Sequence, residues 1–131
     1  MCVSFPAGYP LGAEASHCGI AILPLRNVVR TSKVEESVPR YVVAIARATR
    51  EHKSLELAAS PRATLALYRA SQALAALRGR RFVIPDDVKY LAPLILTHRV
   101  IISPQTLLRG RTTQAIISEI VDSVTAAVVQ I

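Results

Sequence analysis

The chain has 131 residues and a formal net charge of +7. That length, with 51% hydrophobic residues, supplies one modest core and little room for a second domain. Trp is absent, Phe occurs twice, and Ala, Leu, Val and Ile are abundant, a composition that favours packed helices. The expected fold class is therefore all-α, a small helical bundle of about four main helices with short extended links. A basic balance suits nucleic acid, an acidic membrane surface or an acidic partner protein. Most of it comes from arginines scattered along the chain, a pattern of a solvated face more than of a groove-reading surface. Cys2 and Cys18 are too few for a zinc site, and His17 beside Cys18 does not supply the usual ligand spacing. The start lacks the basic region of a signal peptide, and the apolar run 20–23 is far too short to span a bilayer. A reduced, cytoplasmic protein is the default expectation.

Residues 1–27 are punctuated by Pro6, Gly8, Pro10, Gly12, Gly19 and Pro24 and carry no stable periodicity. They are expected to be an irregular, poorly ordered leader, with the helical domain over 28–131. The spacing predicts a first helix from about Glu36 to Glu51, with Val38, Tyr41, Val42, Ile45, Ala48 and Thr49 on one face. Pro39 falls in its first turn, where proline is tolerated. The segment His52-Lys53-Ser54 ends it, and Leu55-Glu56-Leu57 is an extended link too short for an independent strand. A second helix runs from Pro61 to about Arg78, closed by Gly79. Its expected buried stripe is Ala63, Leu67, Ala70, Leu74 and Leu77. A basic turn, Arg80-Arg81, and a short extended run, Phe82-Val83-Ile84, precede a third helix opening at Pro85-Asp86-Asp87 and ending near His98. Pro93 should bend or interrupt it. Val100-Ile101-Ile102 reads as extended. Past Gly110 a last helix opens near Thr112 or Thr113, with Ile116, Ile117, Ile120, Val121 and Val124 on its apolar face.

One helix start carries more chemistry than the others. Ser60 is a good N-cap and Pro61 sits at the first helical position, where its missing N–H costs nothing. Arg62 then places a cation in the first turn, against the helix dipole. Free N–H groups and a guanidinium together make an anion site, and phosphate is the usual anion. The plain alternative is a surface arginine on a well-capped helix. At about 100° per residue Arg62 lies roughly 80° from the centre of the apolar stripe, so it borders the core and can aim its charge outward.

Other catalytic apparatus is missing from the sequence. A phosphate-binding loop needs Gly-Lys followed by Ser or Thr, and none of Gly8, Gly12, Gly19, Gly79 and Gly110 precedes a lysine. The run 82–87 superficially resembles a magnesium-holding strand, but Pro85 breaks it and its acids fit a helix start. His17, His52 and His98 have no metal-ligand spacing, and no nucleophile elbow occurs. Asp86 and Asp87 point about 100° apart on a helix, which disfavours a paired-carboxylate site. Alone, the chain is expected to catalyse nothing.

The regular region resembles the C-terminal lid of a MoxR-family AAA+ ATPase. The run Tyr41-Val42-Val43-Ala44-Ile45-Ala46-Arg47-Ala48-Thr49-Arg50-Glu51-His52 is similar to the family's first lid helix. Leu57-Ala58-Ala59-Ser60-Pro61-Arg62-Ala63 is similar to its sensor 2 motif. Ala73-Leu74-Ala75-Ala76-Leu77-Arg78-Gly79-Arg80, Val83-Ile84-Pro85-Asp86-Asp87-Val88, Leu91-Ala92-Pro93 and His98-Arg99 follow in order. The resemblance covers roughly residues 28–124 and rests on the ordered run, not on any one motif. It implies that Arg62 is the sensor 2 arginine, which in such enzymes reaches the γ-phosphate of ATP bound to a separate α/β domain and couples nucleotide state to lid motion. Ser60 and Pro61 would shape the helix start beside the nucleotide. Tyr41 and Ile45 would lie near the adenine, with core packing the first reading of both.

Two residues depart from the family pattern. Ala58 stands where glycine is common, and Ile84 stands where a polar N-cap precedes Pro85, an omission worth about 1 kcal/mol. The phosphate loop, magnesium acids, sensor 1 and arginine finger of the family are not in this sequence, and residues 1–27 do not replace them. The resemblance therefore implies a fragment (a truncated or misread gene product, or an isolated domain) whose ATP and Mg2+ belong with an α/β core and neighbouring subunits of a ring. Two other functions remain open. Arg78-Gly79-Arg80-Arg81 and Arg109-Gly110-Arg111 suit a small nucleic-acid-binding module. An apolar face left by a missing domain suits a protein-interaction adaptor with a client or partner protein.

Overall fold

Apolar residues recurring every three and four positions build helices, and the chain consists largely of them. The computed structural model describes the backbone of residues 18–128 and the side chains of residues 24–124. The elements run α1 (Cys18–Arg30), β1 (Lys33–Val34), α2 (Ser37–Glu51), β2 (Leu55–Leu57), α3 (Pro61–Leu77), β3 (Phe82–Val83), α4 (Pro85–Leu96), β4 (Ile101–Ile102), α5 (Pro104–Leu108) and α6 (Thr113–Val128). The four helices read from periodicity are α2, α3, α4 and α6, with ends within two residues of expectation. Helix α1 differs from the expectation: it starts at Cys18 and carries Pro24 inside, within the stretch that its punctuation marks as irregular. Residues 1–17, with Cys2 and His17, lie outside the described residues, as does the side chain of Cys18.

Helix α3 lies against α4, α2 against α6, and α4 against α6, while α2 also touches α3 and α4. The shared core is drawn from all four: Val38, Val42 and Ile45 from α2, Leu67 from α3, Val88 and Leu96 from α4, and Ile116, Ile117 and Ile120 from α6. The predicted face of α6 is buried throughout, from Ile116 to Val124. The stripe of α3 is not the one expected. Ala63 and Leu67 are buried, but the second half of the helix buries Ser71, Gln72 and Ala75, and Leu77 is 69% exposed. Helix α1 packs on α3 and changes which side is covered. The buried polar groups are satisfied there: Ser71 Oγ donates to the Tyr68 carbonyl at 2.7 Å, and Gln72 Nε2 donates to the Arg30 carbonyl at a long 3.5 Å.

Pro93 does not interrupt α4, which continues to Leu96. The Pro93 carbonyl, three residues from that end, accepts from the Thr97 backbone N–H and hydroxyl. Two glycines close helices. At Gly79 (φ +71°) the Gly79 N–H reaches the Ala76 carbonyl and the Arg80 N–H reaches the Ala75 carbonyl, both at 2.9 Å. Gly110 (φ +72°) repeats this after α5, through the Leu107 and Thr106 carbonyls. This is the paired closure that a left-handed residue after a helix permits.

The extended links are paired. Strand β1 runs parallel to β3, with Lys33 opposite Phe82 and Val34 opposite Val83. Strand β2 runs antiparallel to β4, with Leu55 opposite Ile102, Leu57 opposite Ile101 and a register irregularity between. These ribbons fasten the start of α2 to the α3–α4 turn, and the α2–α3 link to the α4–α5 link.

Candidate functional site

The α2–α3 link is held along its length before it releases Arg62. His52 caps the end of α2, and its Nδ1 accepts from the Ser54 N–H at 3.3 Å. The Ser54 carbonyl takes the Ser103 N–H at 2.9 Å, and Leu55–Leu57 pairs with β4. The Ala59 N–H donates to Thr49 Oγ1 at 3.2 Å. Ser60, in extended conformation, caps α3: its Oγ accepts from the Ala63 N–H at 3.3 Å. Pro61 takes the first helical position, as its lack of an N–H favours. The first turn of α3 holds no acidic side chain. Arg62 is exposed, and among the described residues it has no hydrogen-bond or ion-pair partner. The result is a cation at the mouth of a 17-residue helix, pointed at solvent.

Ser60, Pro61 and Arg62 are thus brought together. Tyr41 and Ile45 are not part of that surface. They are 3% and 0% exposed and belong to the core cluster, the packing role that their spacing favours first.

A second polar cluster escaped the sequence reading. Asp87 is completely buried at the start of α4. Its carboxylate accepts from Arg80 Nη1 at 2.9 Å and Nη2 at 2.6 Å, from Arg78 Nη1 at 3.0 Å, and from the Ile84 N–H at 3.2 Å. Arg78 also lies over the Tyr90 ring at 5.4 Å. Burial is the largest influence on Asp87 and pushes its pKa up. The hydrogen bonds from Arg80 and Ile84 and the charges of Arg80 and Arg78 together outweigh it and hold the carboxyl below the ordinary range. The same pairing raises Arg80. Ile84 itself offers no side-chain cap, but Asp87 supplies the return half of a capping box from inside the helix. The available signal was Arg-Gly-Arg ahead of Pro-Asp-Asp: a left-handed glycine turns both arginines back onto the next helix start.

That arrangement changes the meaning of the basic motifs. Arg78 and Arg80 are committed to Asp87, and Arg111 pairs with Glu119. Both runs close helices, and three of their five arginines have internal partners while Arg81 and Arg109 are exposed, which leaves less free charge for the nucleic-acid alternative. Among the described residues no three His, Cys, Asp or Glu side chains gather to hold a metal, and no helix is long and apolar enough to cross a membrane.

The described residues form a small all-α bundle, and comparison with known proteins gives its family. The AAA lid domain family matches residues 47–120, and the chain belongs to it. The uncharacterized protein YeaC of Bacillus subtilis is 41% identical over 100 residues, covering 76% of this chain and 31% of that protein. Chaperone MoxR1 of Mycobacterium tuberculosis is 30% identical over 112 residues, covering 79% of this chain and 30% of that protein. The crystal structure of a candidate ATPase from Cytophaga hutchinsonii superposes with a TM-score of 0.73 at 30% identity, covering 77% of this chain and 33% of the other. The chain therefore spans about a third of the length of the relatives it matches.

Proposed function

We propose that this chain is the nucleotide-sensing lid of a MoxR-type AAA+ ATPase, with Arg62 contacting the γ-phosphate of ATP held by an α/β core. The observation that carries the reading is the exposed Arg62 guanidinium, without a partner among the described residues, at a helix mouth whose cap already occupies Ser60. A guanidinium and a helix N-terminus converge on anions, and a triphosphate is the anion that an AAA+ core supplies. Ser60 and Pro61 fix the helix start, so the arginine meets the phosphate at a set height. Mg2+ is assigned to the core. Lid and core would act within a ring, in the cytoplasm, and the lid would turn phosphate contact into motion of the bundle. Tyr41 and Ile45 serve this role from the core, by keeping α2 in place.

The test uses the ATPase assembled from this chain and a MoxR-type α/β core. Arg62→Ala should lower kcat about ten- to a hundredfold, the loss expected for one hydrogen-bonded contact to a charged group, with a smaller change in KM. Steady-state turnover measures it, and full activity in that variant would remove the reading. The 131-residue chain alone should show no saturable ATP binding by calorimetry.

A further inference from the structure

We infer that Thr49 is the positioning residue for Arg62: one buried hydroxyl on α2 sets where the α3 mouth, and hence the guanidinium, stands. This rests on the lid reading of Arg62. Thr49 is 1% exposed in the last turns of α2. Its Oγ1 donates to the Ala46 carbonyl at 2.7 Å, an i to i−3 bond that fixes the side-chain rotamer. With its proton committed, the oxygen has a lone pair left for the Ala59 N–H at 3.2 Å. Ala59 is itself 2% exposed, so no water replaces that acceptor.

The placement of this bond gives it a function beyond packing. The other fastenings of the link, from Ser54 to Ser103 and from Leu55–Leu57 to β4, lie farther along the chain from the arginine. The bond from Thr49 is the last tether before Ser60-Pro61-Arg62, and it comes from a different helix. Beyond it the chain turns directly into α3, whose first turn is fixed by the Ser60 cap. Core packing of Ala63 and Leu67 holds the first turns of α3 from one side, and the Thr49 hydroxyl holds the chain entering them from α2, just ahead of Arg62. Threonine suits the place because its methyl fills a dry site while its oxygen faces two backbone groups. In the sequence it reads only as one more residue of the α2 face.

Two substitutions separate the hydroxyl from the packing. Thr49→Val keeps the volume and removes the acceptor, whereas Thr49→Ser keeps the acceptor and removes the methyl. In the full chain, amide exchange at Ala59 should quicken about tenfold or more in Thr49→Val and stay near wild type in Thr49→Ser, as loss of one hydrogen bond predicts. In the ATPase assembled with a MoxR-type core, Thr49→Val should lower kcat about tenfold with KM little changed, and Thr49→Ser should restore it. On an Arg62→Ala background, Thr49→Val should cause no further loss. If Thr49→Val proves unfolded by circular dichroism, Thr49→Ala read against Thr49→Ser isolates the same hydroxyl. Equal kcat losses in the hydroxyl-bearing and hydroxyl-free variants, or additive losses with Arg62→Ala, overturn the positioning role. An impaired Arg62→Ala beside a normal Thr49→Val overturns this inference alone. A fully active Arg62→Ala overturns the lid reading and this inference with it.

Discussion

Asp87 shows how far one residue's meaning depends on its surroundings. By sequence it is the second acid of a helix start, where it suits the dipole. By structure it is a buried anion holding two arginines and a backbone N–H. Its folded pKa is depressed below the ordinary aspartate value, so its stabilising contribution is complete above that ordinary value and is lost as pH falls through the folded pKa. Asp87→Asn should cost about 2 kcal/mol at neutral pH, within the range for hydrogen bonds to charged groups. The loss stays below that of a fully buried pair because Arg78 is exposed and Arg80 only partly buried, so both recover water. Thermal melting from neutral pH downward checks it. The gap between wild type and Asp87→Asn should be flat down to about pH 5 and close at lower pH. A gap that widens on acidification would mean the carboxyl is not held low.

At the scale of elements, Gly79 explains how Asp87 gets its partners. Nothing lies within 4 Å of a Cβ built there, so Gly79→Ala meets no clash and tests the backbone alone. At φ +71° an alanine should cost about 1 kcal/mol, seen as a lower denaturant midpoint with an unchanged m-value. The same element scale shows what the sequence could reveal. Helices α2, α3, α4 and α6 were legible because each carries an apolar repeat, and the Ser-Pro-Arg mouth because caps and proline have fixed local roles. The stripe of α3 was half legible: its later turns are covered by α1, and Ser71 and Gln72 can be buried only because acceptors exist that the sequence does not display. Helix α1 was missed because proline and glycine outweighed its short apolar run. Strand β1 was missed because two residues have no period to read. The Thr49 tether joins positions ten residues apart through a non-periodic bond.

For the molecule as a whole, the ribbons and the core solve different problems. Pairing 33–34 with 82–83 and 55–57 with 101–102 closes long loops at the cost of few residues, while burial of apolar surface supplies the drive. No helix buries its face alone, so a core residue reports on the whole bundle. Ile45 makes the sharpest test, because the family resemblance sets it beside the adenine while the structure buries it completely. Ile45→Val removes one methylene, which in a dry core costs about 1 kcal/mol. For a domain near this size that lowers Tm by roughly 3–5 °C. In the ATPase assembled with a MoxR-type core, KM for ATP should stay unchanged below the melting transition. Calorimetry and turnover on one preparation decide between the two positions: a Tm shift with constant KM is the signature of packing, whereas a raised KM with constant Tm would put Ile45 against the base.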